Sequence, residues 1–250
     1  MIRMRLASNA VRLVLVVMCS VLLTVAAGCA DVVTGTAHLA ANLKPHPLTG
    51  GVIKDAMLTD TELSQLFDQY FEIVGSPAFG GPAQLFWDWP GAKQSDCAGL
   101  SHILMGETYT NAQVLTVARE MWWNSHSRLQ PAATVINLEE GMVALPTMAA
   151  ADALFAKFTE QWKRCVGARI AVGVNEHYEI GEVHADASVV EATVENHDQD
   201  ILLRESHALG VRDNCIVEVS IVYFGDTAPA PGKSASDVAR QMVNKIGDRA

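Results

Sequence analysis

The sequence has few basic residues and, beyond its N-terminus, no long apolar run. Its 18 lysines and arginines are outnumbered by 28 aspartates and glutamates, which gives a formal net charge of −10. This balance argues against a nucleic-acid-binding protein, because such proteins need a basic surface. After the N-terminal segment, no stretch is long and apolar enough to span a membrane.

Motifs for catalysis and for metal binding are also missing. The chain contains no Gly-x-Ser-x-Gly, Ser-x-x-Lys, Cys-x-x-Cys or His-Glu-x-x-His. His184 and Asp186 in one predicted turn, with residues 197–200 in another, could hold a divalent cation if the turns met. We interpret these residues, and the pair Glu139 and Glu140, as solvated surface. We therefore expect no enzymatic activity, no metal and no cofactor.

The first 28 residues have the pattern of a secretion signal. An apolar run over residues 13–25 follows three arginines and ends in Ala26-Ala27-Gly28-Cys29. A cysteine after three small residues resembles the bacterial lipobox, in which that cysteine carries the lipid. We expect Cys29 to anchor the mature chain to the extracytoplasmic face of the cell membrane. An ordinary signal peptide or an uncleaved anchor helix are the alternatives.

The mature chain is divided by composition into a tether and one folded domain. Residues 29–54 show little apolar periodicity and contain prolines and glycines, so we predict a flexible tether. Residues 55–250 are long enough for one domain with a hydrophobic core. Loss of three arginines and no acidic residue with the signal changes the net charge to −13.

The stretch 145–165 is the clearest secondary-structure prediction. Thr147 is a candidate N-cap, and apolar residues recur at spacings of three and four, which places them on one helix face. Alternating residues over 169–224 predict a β-meander, and a capping box at Ser234 begins a closing helix. The fold class is therefore α+β, with an antiparallel meander and helices packed on one face.

Cysteine and tryptophan supply the remaining candidate residues. Cys97, Cys165 and Cys215 form an odd set in an oxidising compartment, so one pair and one free thiol are expected. Four of the five tryptophans occur as two close pairs and form a candidate wall for an apolar ligand: Trp87, Trp89, Trp122 and Trp123. The alternative is that three pack in the core and one lies at the surface.

The order of several short motifs resembles that of the PknH-like extracellular sensor domain family of mycobacterial kinases and lipoproteins. These motifs are Gln161-Trp162-x-x-Cys165 at the end of a helix, Ser206-His207-Ala208-Leu209, and Asn214 before an alternating valine strand. The resemblance covers about residues 55–248. It implies a disulfide-stabilised α+β domain with a cleft for a small extracellular ligand, and a Cys97–Cys165 bridge.

The second bridge of that family is missing from this chain. The resemblance places its two ends near Glu205 and Val222, which should therefore be neighbours on the sheet. The resulting hypothesis is a non-enzymatic, lipid-anchored ligand-binding or sensor-like domain. A carrier of an apolar envelope molecule is the alternative, and an envelope hydrolase is a third.

Overall fold

A computed structural model of the protein describes residues 47–87, 96–124, 134–172, 174–225 and 229–248. The secretion signal, the lipidation site Cys29 and Trp89 lie outside these ranges. Within them, no helix has both the length and the apolar character needed to cross a membrane.

Within these described ranges, three α-helices and nine β-strands make up the regular structure. The helices are α1 Asp60–Phe67, α2 Met148–Arg164 and α3 Ala235–Gly247. The strands are β1 Glu72–Ile73, β2 Ala78–Gly80, β3 Thr116–Trp123, β4 Val135–Ala144, β5 Arg169–Ala171, β6 Glu176–Ala185, β7 Val189–Asp198, β8 Ile201–Arg212 and β9 Cys215–Tyr223. Short 3-10 turns lie at Gly50–Ala56, Pro82–Gln84, Ala98–Leu100 and Gly106–Tyr109.

All strands belong to one antiparallel sheet in the order β1-β3-β4-β9-β8-β7-β6-β5, with β2 also paired to β3. Strands β5 to β9 pair consecutively, which confirms the predicted meander. The last meander strand, β9, then pairs with β4. This joins the segment before α2 to the centre of the sheet.

Alternating side chains along the strands form two hydrophobic cores, one on each side of the sheet. On one side, which we call the α2 face, Phe158 and Trp162 of α2 pack with Ile216 of β9. On the other side, the α3 face, Met242 of α3 packs with Val217. Successive residues of a strand point to opposite sides, so the helices lie on both faces. The α+β class is confirmed, but the expected placement of the helices on one face is wrong.

Helix α2 begins and ends as its sequence predicts. The Thr147 hydroxyl accepts a hydrogen bond from the backbone N–H of Ala150 at 3.1 Å, which satisfies one of the free N–H groups of the first turn. The residues of the predicted apolar stripe are buried, and basic residues occupy the last turn. Each large buried side chain contributes about 1.5–3 kcal/mol, so packing on the sheet stabilises the helix.

The folded domain begins earlier than residue 55. Leu48 exchanges two hydrogen bonds with the side chain of Asn214, from its N–H at 2.7 Å and to its carbonyl at 2.8 Å. Ile53 is fully buried in the core of the α3 face. Residues 48–54 are therefore part of the domain and not of the tether. Their two buried residues give no periodic pattern, which is why the sequence did not separate them from a tether.

Helix α1 ends at Phe67, and the next residue, Asp68, adopts a left-handed conformation. Residues 139–141 form the middle of β4. The turn predicted at residues 197–200 begins later in the structure. Residues 196–198 are the end of β7, and the turn follows at Gln199, whose φ is 52°.

Candidate functional site: a cleft on the sheet

One end of the α2 face is left open, and an open cleft of about 350 Å³ lies there. The other end of that face is covered by α2 and by the irregular residues 96–114, whose Leu104 and Tyr109 pack into its core. The cleft is lined by Ser101, His102, Met121, Trp123, Ile136, Asn137, Glu139, Tyr178, Asn196, Leu203, Glu205, Ser220 and Val222. It combines acidic, amide and aromatic side chains.

Strand register determines which residues form the floor of the cleft. Glu139 of β4 is the Cα partner of Ser220 of β9, which is in turn the partner of His207 of β8. In the next row, Val222 is the partner of Glu205. Directly paired residues lie side by side on one face. The sheet therefore gathers residues that lie far apart in the sequence.

A hydrogen-bonded chain joins Ser220, His207 and Glu205. The His207 Nε2 atom lies 2.9 Å from Glu205 Oε2 and 3.3 Å from Ser220 Oγ. Both contacts are made by the same ring nitrogen, and Nδ1 is buried without a hydrogen-bond partner in the part of the chain that is described. A Ser–His–acid triad instead uses the two different ring nitrogens. This arrangement therefore does not match that of a Ser–His–acid triad.

Glu139 is a buried carboxyl group that lies 3.5 Å from the Arg119 guanidinium. Burial raises the pKa of Glu139 to about 7, although the charge and hydrogen bonding of Arg119 oppose the rise. Burial also lowers the pKa of His102 to about 4. At neutral pH the imidazole is uncharged, so its 3.9 Å approach to Glu139 is not an ion pair. Glu139 can therefore take up or release a proton near neutral pH.

An aromatic stack forms the side of the cleft next to this carboxyl group. The Arg119 guanidinium lies 3.9 Å from the ring centre of Phe86, and the Phe86 and His102 rings are 4.2 Å apart. Cation–π contacts of this kind contribute about 0.5–2 kcal/mol. The stack holds Arg119 beside Glu139 and holds His102 over the floor.

The 96–114 segment is attached to the sheet by a second buried carboxyl group, Glu218. Its oxygens accept hydrogen bonds from the Tyr109 hydroxyl and, at 3.0 Å, from the Leu104 N–H. Burial raises the pKa of Glu218 to about 7. Leu104 reaches the sheet because Gly141 has no side chain, since a Cβ there would lie 2.6 Å from Leu104 Cδ1. This attachment places His102 at the cleft.

The disulfide between Cys97 and Cys165 ties the same segment to the end of α2. This is the pairing that the family resemblance implied. Cys215 is a buried free thiol in the core of the α3 face, whereas Cys165 lies in the core of the α2 face. The sheet therefore separates Cys215 from Cys165.

Two acceptor atoms of the cleft residues are not satisfied by hydrogen bonds. Both atoms are buried: Asn196 Oδ1 has no hydrogen-bond partner among the residues described, and Glu139 Oε1 has only the 3.5 Å approach of Arg119 Nη1. The amide of Asn196 is held in place by its other end, since Nδ2 donates to Glu205 Oε1 at 3.2 Å. Buried polar atoms almost always have a partner. These two atoms are therefore where a bound molecule could donate hydrogen bonds.

The structure does not bring the candidate tryptophans into one wall. Trp123 is 45% exposed and lines the cleft. Trp122 points to the opposite face, where it is buried and donates to Glu140 Oε1 at 3.1 Å. Trp87 is half-exposed, its ring lies against Gly106, and Trp89 falls outside the described residues. Of the three that are described, only Trp123 lines the cleft.

The two turns considered for a metal do not meet. Asp186 follows β6, and residues 199–200 follow β7, so the turns lie at opposite ends of β7. Asp186 instead accepts two backbone N–H hydrogen bonds within its own turn and pairs with Arg240 at 2.5 Å. The interpretation of its turn as ordinary surface is consistent with these contacts.

The carboxyl groups of the site are the residues that sequence analysis missed. Glu139 and Glu140 were assigned to a solvated surface, but they are 9% and 0% exposed, so that assignment is wrong. One signal was available in the sequence. Glu218 and Ser220 interrupt the apolar residues of β9, and an interruption of that kind indicates either a solvated face or a buried polar site.

A separate groove of about 500 Å³ lies between residues 108–113 and the start of α2. Its lining is mostly apolar and includes Ala112, Leu145, Pro146 and Leu154. Among the described residues, no cation or carboxylate besides Lys157 lines it. The groove can therefore contact apolar groups, and it also offers uncharged polar side chains such as Asn111 and Gln113.

Comparison with known proteins agrees with this architecture. The chain matches the crystal structure of the extracellular domain of PknH from Mycobacterium tuberculosis with a TM-score of 0.65 and 14% identity, covering 82% of this chain and 100% of that one. A search of curated proteins found no match. The family model of the PknH-like extracellular domain matches residues 48–245, which begin where the folded domain begins. The chain belongs to the PknH-like extracellular domain family.

Proposed function

We propose that this protein is a non-enzymatic, sensor-like extracytoplasmic domain that binds a small polar molecule in the cleft. The observation that carries the proposal is a pair of buried acceptors that the described residues leave under-satisfied: Asn196 Oδ1 has no hydrogen-bond partner, and Glu139 Oε1 has only the 3.5 Å contact with Arg119. Leaving a buried acceptor unsatisfied costs about 1–3 kcal/mol. A ligand that donates to both atoms recovers this free energy.

The chemistry of the lining defines the ligand class. Glu139, Glu205 and Asn196 supply oxygen acceptors, and the exposed ring of Trp123 supplies an apolar surface at the edge. A molecule with several hydroxyl or amino groups on a compact carbon skeleton fits both features. A free anion does not fit the cleft, because two carboxyl groups line it. Small polyols, sugars and amines are therefore the ligands to test first.

The proposed location combines the family with the N-terminal motif. The related structure is described as an extracellular domain, and residues 26–29 match a lipobox. Bacterial lipoprotein anchors carry more than one acyl chain, which is enough for stable membrane attachment. We propose that Cys29 carries the lipid and that the domain faces the outside of the membrane.

Ligand discovery and a pair of variants test the proposal. Native mass spectrometry of the protein purified from its own host looks for a bound molecule, and thermal-shift assays screen polyols, sugars and amines. Glu139→Gln and Asn196→Ala should each weaken binding of any hit about tenfold or more, since hydrogen bonds to charged or buried groups contribute about 1.5–3 kcal/mol. Glu182→Gln, on an 82% exposed side chain, is the control. Binding that both cleft variants leave unchanged would contradict the proposal.

The apolar groove beside α2 supports the carrier as a second candidate function. Its volume of about 500 Å³ is larger than that of the cleft, and no carboxylate is among its lining residues in the described part of the chain. If the protein carries an apolar envelope molecule there, Leu154→Asp should abolish acyl-chain binding and leave polar ligands of the cleft unaffected. Retention of acyl-chain binding by Leu154→Asp would exclude the groove as the carrier site.

The chain of Ser220, His207 and Glu205 allows a direct test of the hydrolase alternative. A fluorophosphonate probe labels serines that a neighbouring base activates. We expect no labelling of Ser220, because its histidine contacts both partners through one nitrogen. Labelling that disappears in Ser220→Ala would overturn the assignment as a non-enzymatic protein.

A further inference from the structure

Two histidines and two glutamates form a compact group on the face opposite the cleft. His177 and Glu179 of β6 lie directly across from His197 and Glu195 of β7. We call these four residues the edge quartet. Their strand neighbours Tyr178 and Ile180 point into the core of the α2 face, so the quartet lies on the α3 face. Helix α3 packs farther along the sheet, against Val189 and Ala208.

The two imidazole rings are already aligned. Their centres are 4.6 Å apart and their planes differ by 6°. His177 Nε2 lies 3.4 Å from Glu179 Oε1, and His197 Nε2 lies 3.9 Å from Glu179 Oε2. One ligand atom from each of these three residues lies within 4.8 Å of the others. Tetrahedral zinc with bonds of about 2.0–2.1 Å separates its ligand atoms by about 3.4 Å, so only small side-chain rotations are needed.

An independent observation points to a ligand here. The Nε2 atom of His197 is buried, and no described residue makes a hydrogen bond to it. Its nearest polar neighbours are carboxylate oxygens of Glu179 and Glu195, at 3.9 and 3.8 Å, which is beyond hydrogen-bond range. This ring nitrogen faces the space between the three side chains, where a metal ion could accept its lone pair.

We propose that the edge quartet is a binding site for a divalent zinc-type metal ion. His177, His197 and Glu179 are the three protein ligands, and Glu195 or water is the fourth. Imidazole nitrogens with a carboxylate suit zinc and its neighbours in the transition series, whereas calcium and magnesium prefer oxygen ligands throughout. The site lies on different residues from the cleft, and it does not depend on the function proposed there.

Two arginines flank the quartet and compete with the ion. Arg169 is the strand partner of Glu179, and its Nη2 lies 2.5 Å from His177 Nε2. Arg204 pairs with Glu195 at 3.6 Å. Arg169 is 62% exposed and can therefore swing into solvent when a metal replaces it at His177. Arg169→Gln should raise the affinity for zinc, because it removes both a competing contact and a nearby positive charge.

Zinc titration of the full-length protein, prepared without a polyhistidine tag, tests the proposal. Calorimetry should show one zinc ion per chain. His177→Ala and His197→Ala should each weaken binding by at least about 100-fold, since even residues that only orient metal ligands are worth about 10–100-fold. The matched control is His184→Ala. His184 lies 3.2 Å from Glu182 on the same strand and is 73% exposed, and we expect its removal to leave zinc binding unchanged.

A measurement without substitutions guards against variants that fold poorly. In wild-type protein, zinc should shift the imidazole ¹⁵N resonances of His177 and His197 and leave those of His184 in place. Bound cobalt(II) should give the absorption of a four-coordinate site. The proposal is overturned if zinc does not bind, if both alanine variants bind normally, or if the His184 resonances alone respond.

Discussion

Replacement of the most deeply buried carboxyl group, Glu140→Gln, should change how the stability of the protein depends on pH. Glu140 is fully buried in β4. Its carboxyl oxygens lie 3.1 Å from the Leu58 N–H and the Trp122 Nε1, both of which donate to it. These hydrogen bonds lower its pKa, but the loss of hydration on burial is the larger effect, and the pKa is raised to about 8.

The sign and size of the effect follow from proton linkage. In the unfolded chain the carboxyl group titrates near its ordinary pKa of 4.5. Between that pH and about pH 8 the folded protein keeps the proton and the unfolded chain has released it. The free energy of unfolding therefore falls by about 1.4 kcal/mol per pH unit as the pH rises through this window. The Glu140 carboxyl group makes its full stabilising contribution only below pH 4.5, and the decline in the free energy of unfolding ends near pH 8.

Urea denaturation at several pH values measures this slope. Glutamine resembles the protonated acid, so Glu140→Gln should be similar to wild type near pH 5 and more stable by a few kcal/mol at pH 8. The control Glu182→Gln should follow the wild-type curve at every pH. The pKa values of Glu139 and Glu218 are also raised, to about 7, so both proteins retain some decline. Parallel curves for wild type and Glu140→Gln would refute the reasoning.

Three further changes test the disulfides and the anchor. Serine at both Cys97 and Cys165 should lower the melting temperature by roughly 10 °C, because closing a loop with a sequence separation of 68 contributes about 4 kcal/mol. An unchanged melting curve under oxidising conditions would contradict this. Glu205→Cys with Val222→Cys should form the second disulfide of the family, since the two residues are strand partners; free thiols in a thiol assay after oxidation would contradict the register. Cys29→Ala should move the protein from the membrane to the soluble fraction, and equal membrane attachment would rule out the lipobox.

The parts of the fold that sequence analysis predicted correctly are those determined by local periodicity. Helix α2 combines a cap at Thr147 with an apolar stripe on one face, and both signals lie within the helix itself. The alternation in β9 likewise placed Cys215 on the side opposite Val222. The Cys97–Cys165 bridge came from the family resemblance and not from residue spacing.

The residues of the site could not be predicted in the same way, because their environment depends on distant parts of the chain. Glu140 is buried by a contact with Leu58, 82 residues earlier. In the sequence, the adjacent pair of glutamates is typical of a solvated surface. His197 was assigned to a turn because its neighbours are polar, and only the register with β6 places it against His177. Which side chains pair across strands depends on the register of the whole sheet, and a short stretch of sequence does not determine that register.

The hydrogen bonds of the buried carboxyl groups distinguish structural residues from the site. Glu140 holds Leu58 and Trp122, and Glu218 holds Leu104 and the Tyr109 hydroxyl, so each attaches another part of the chain to the sheet. Glu139 differs, because it lines an open cleft and its partner is Arg119 of the neighbouring strand, 3.5 Å away. Burial of a carboxyl group costs free energy, and the charge of Arg119 offsets part of that cost. Glu139 is therefore the buried carboxyl group that the ligand proposed for the cleft would contact.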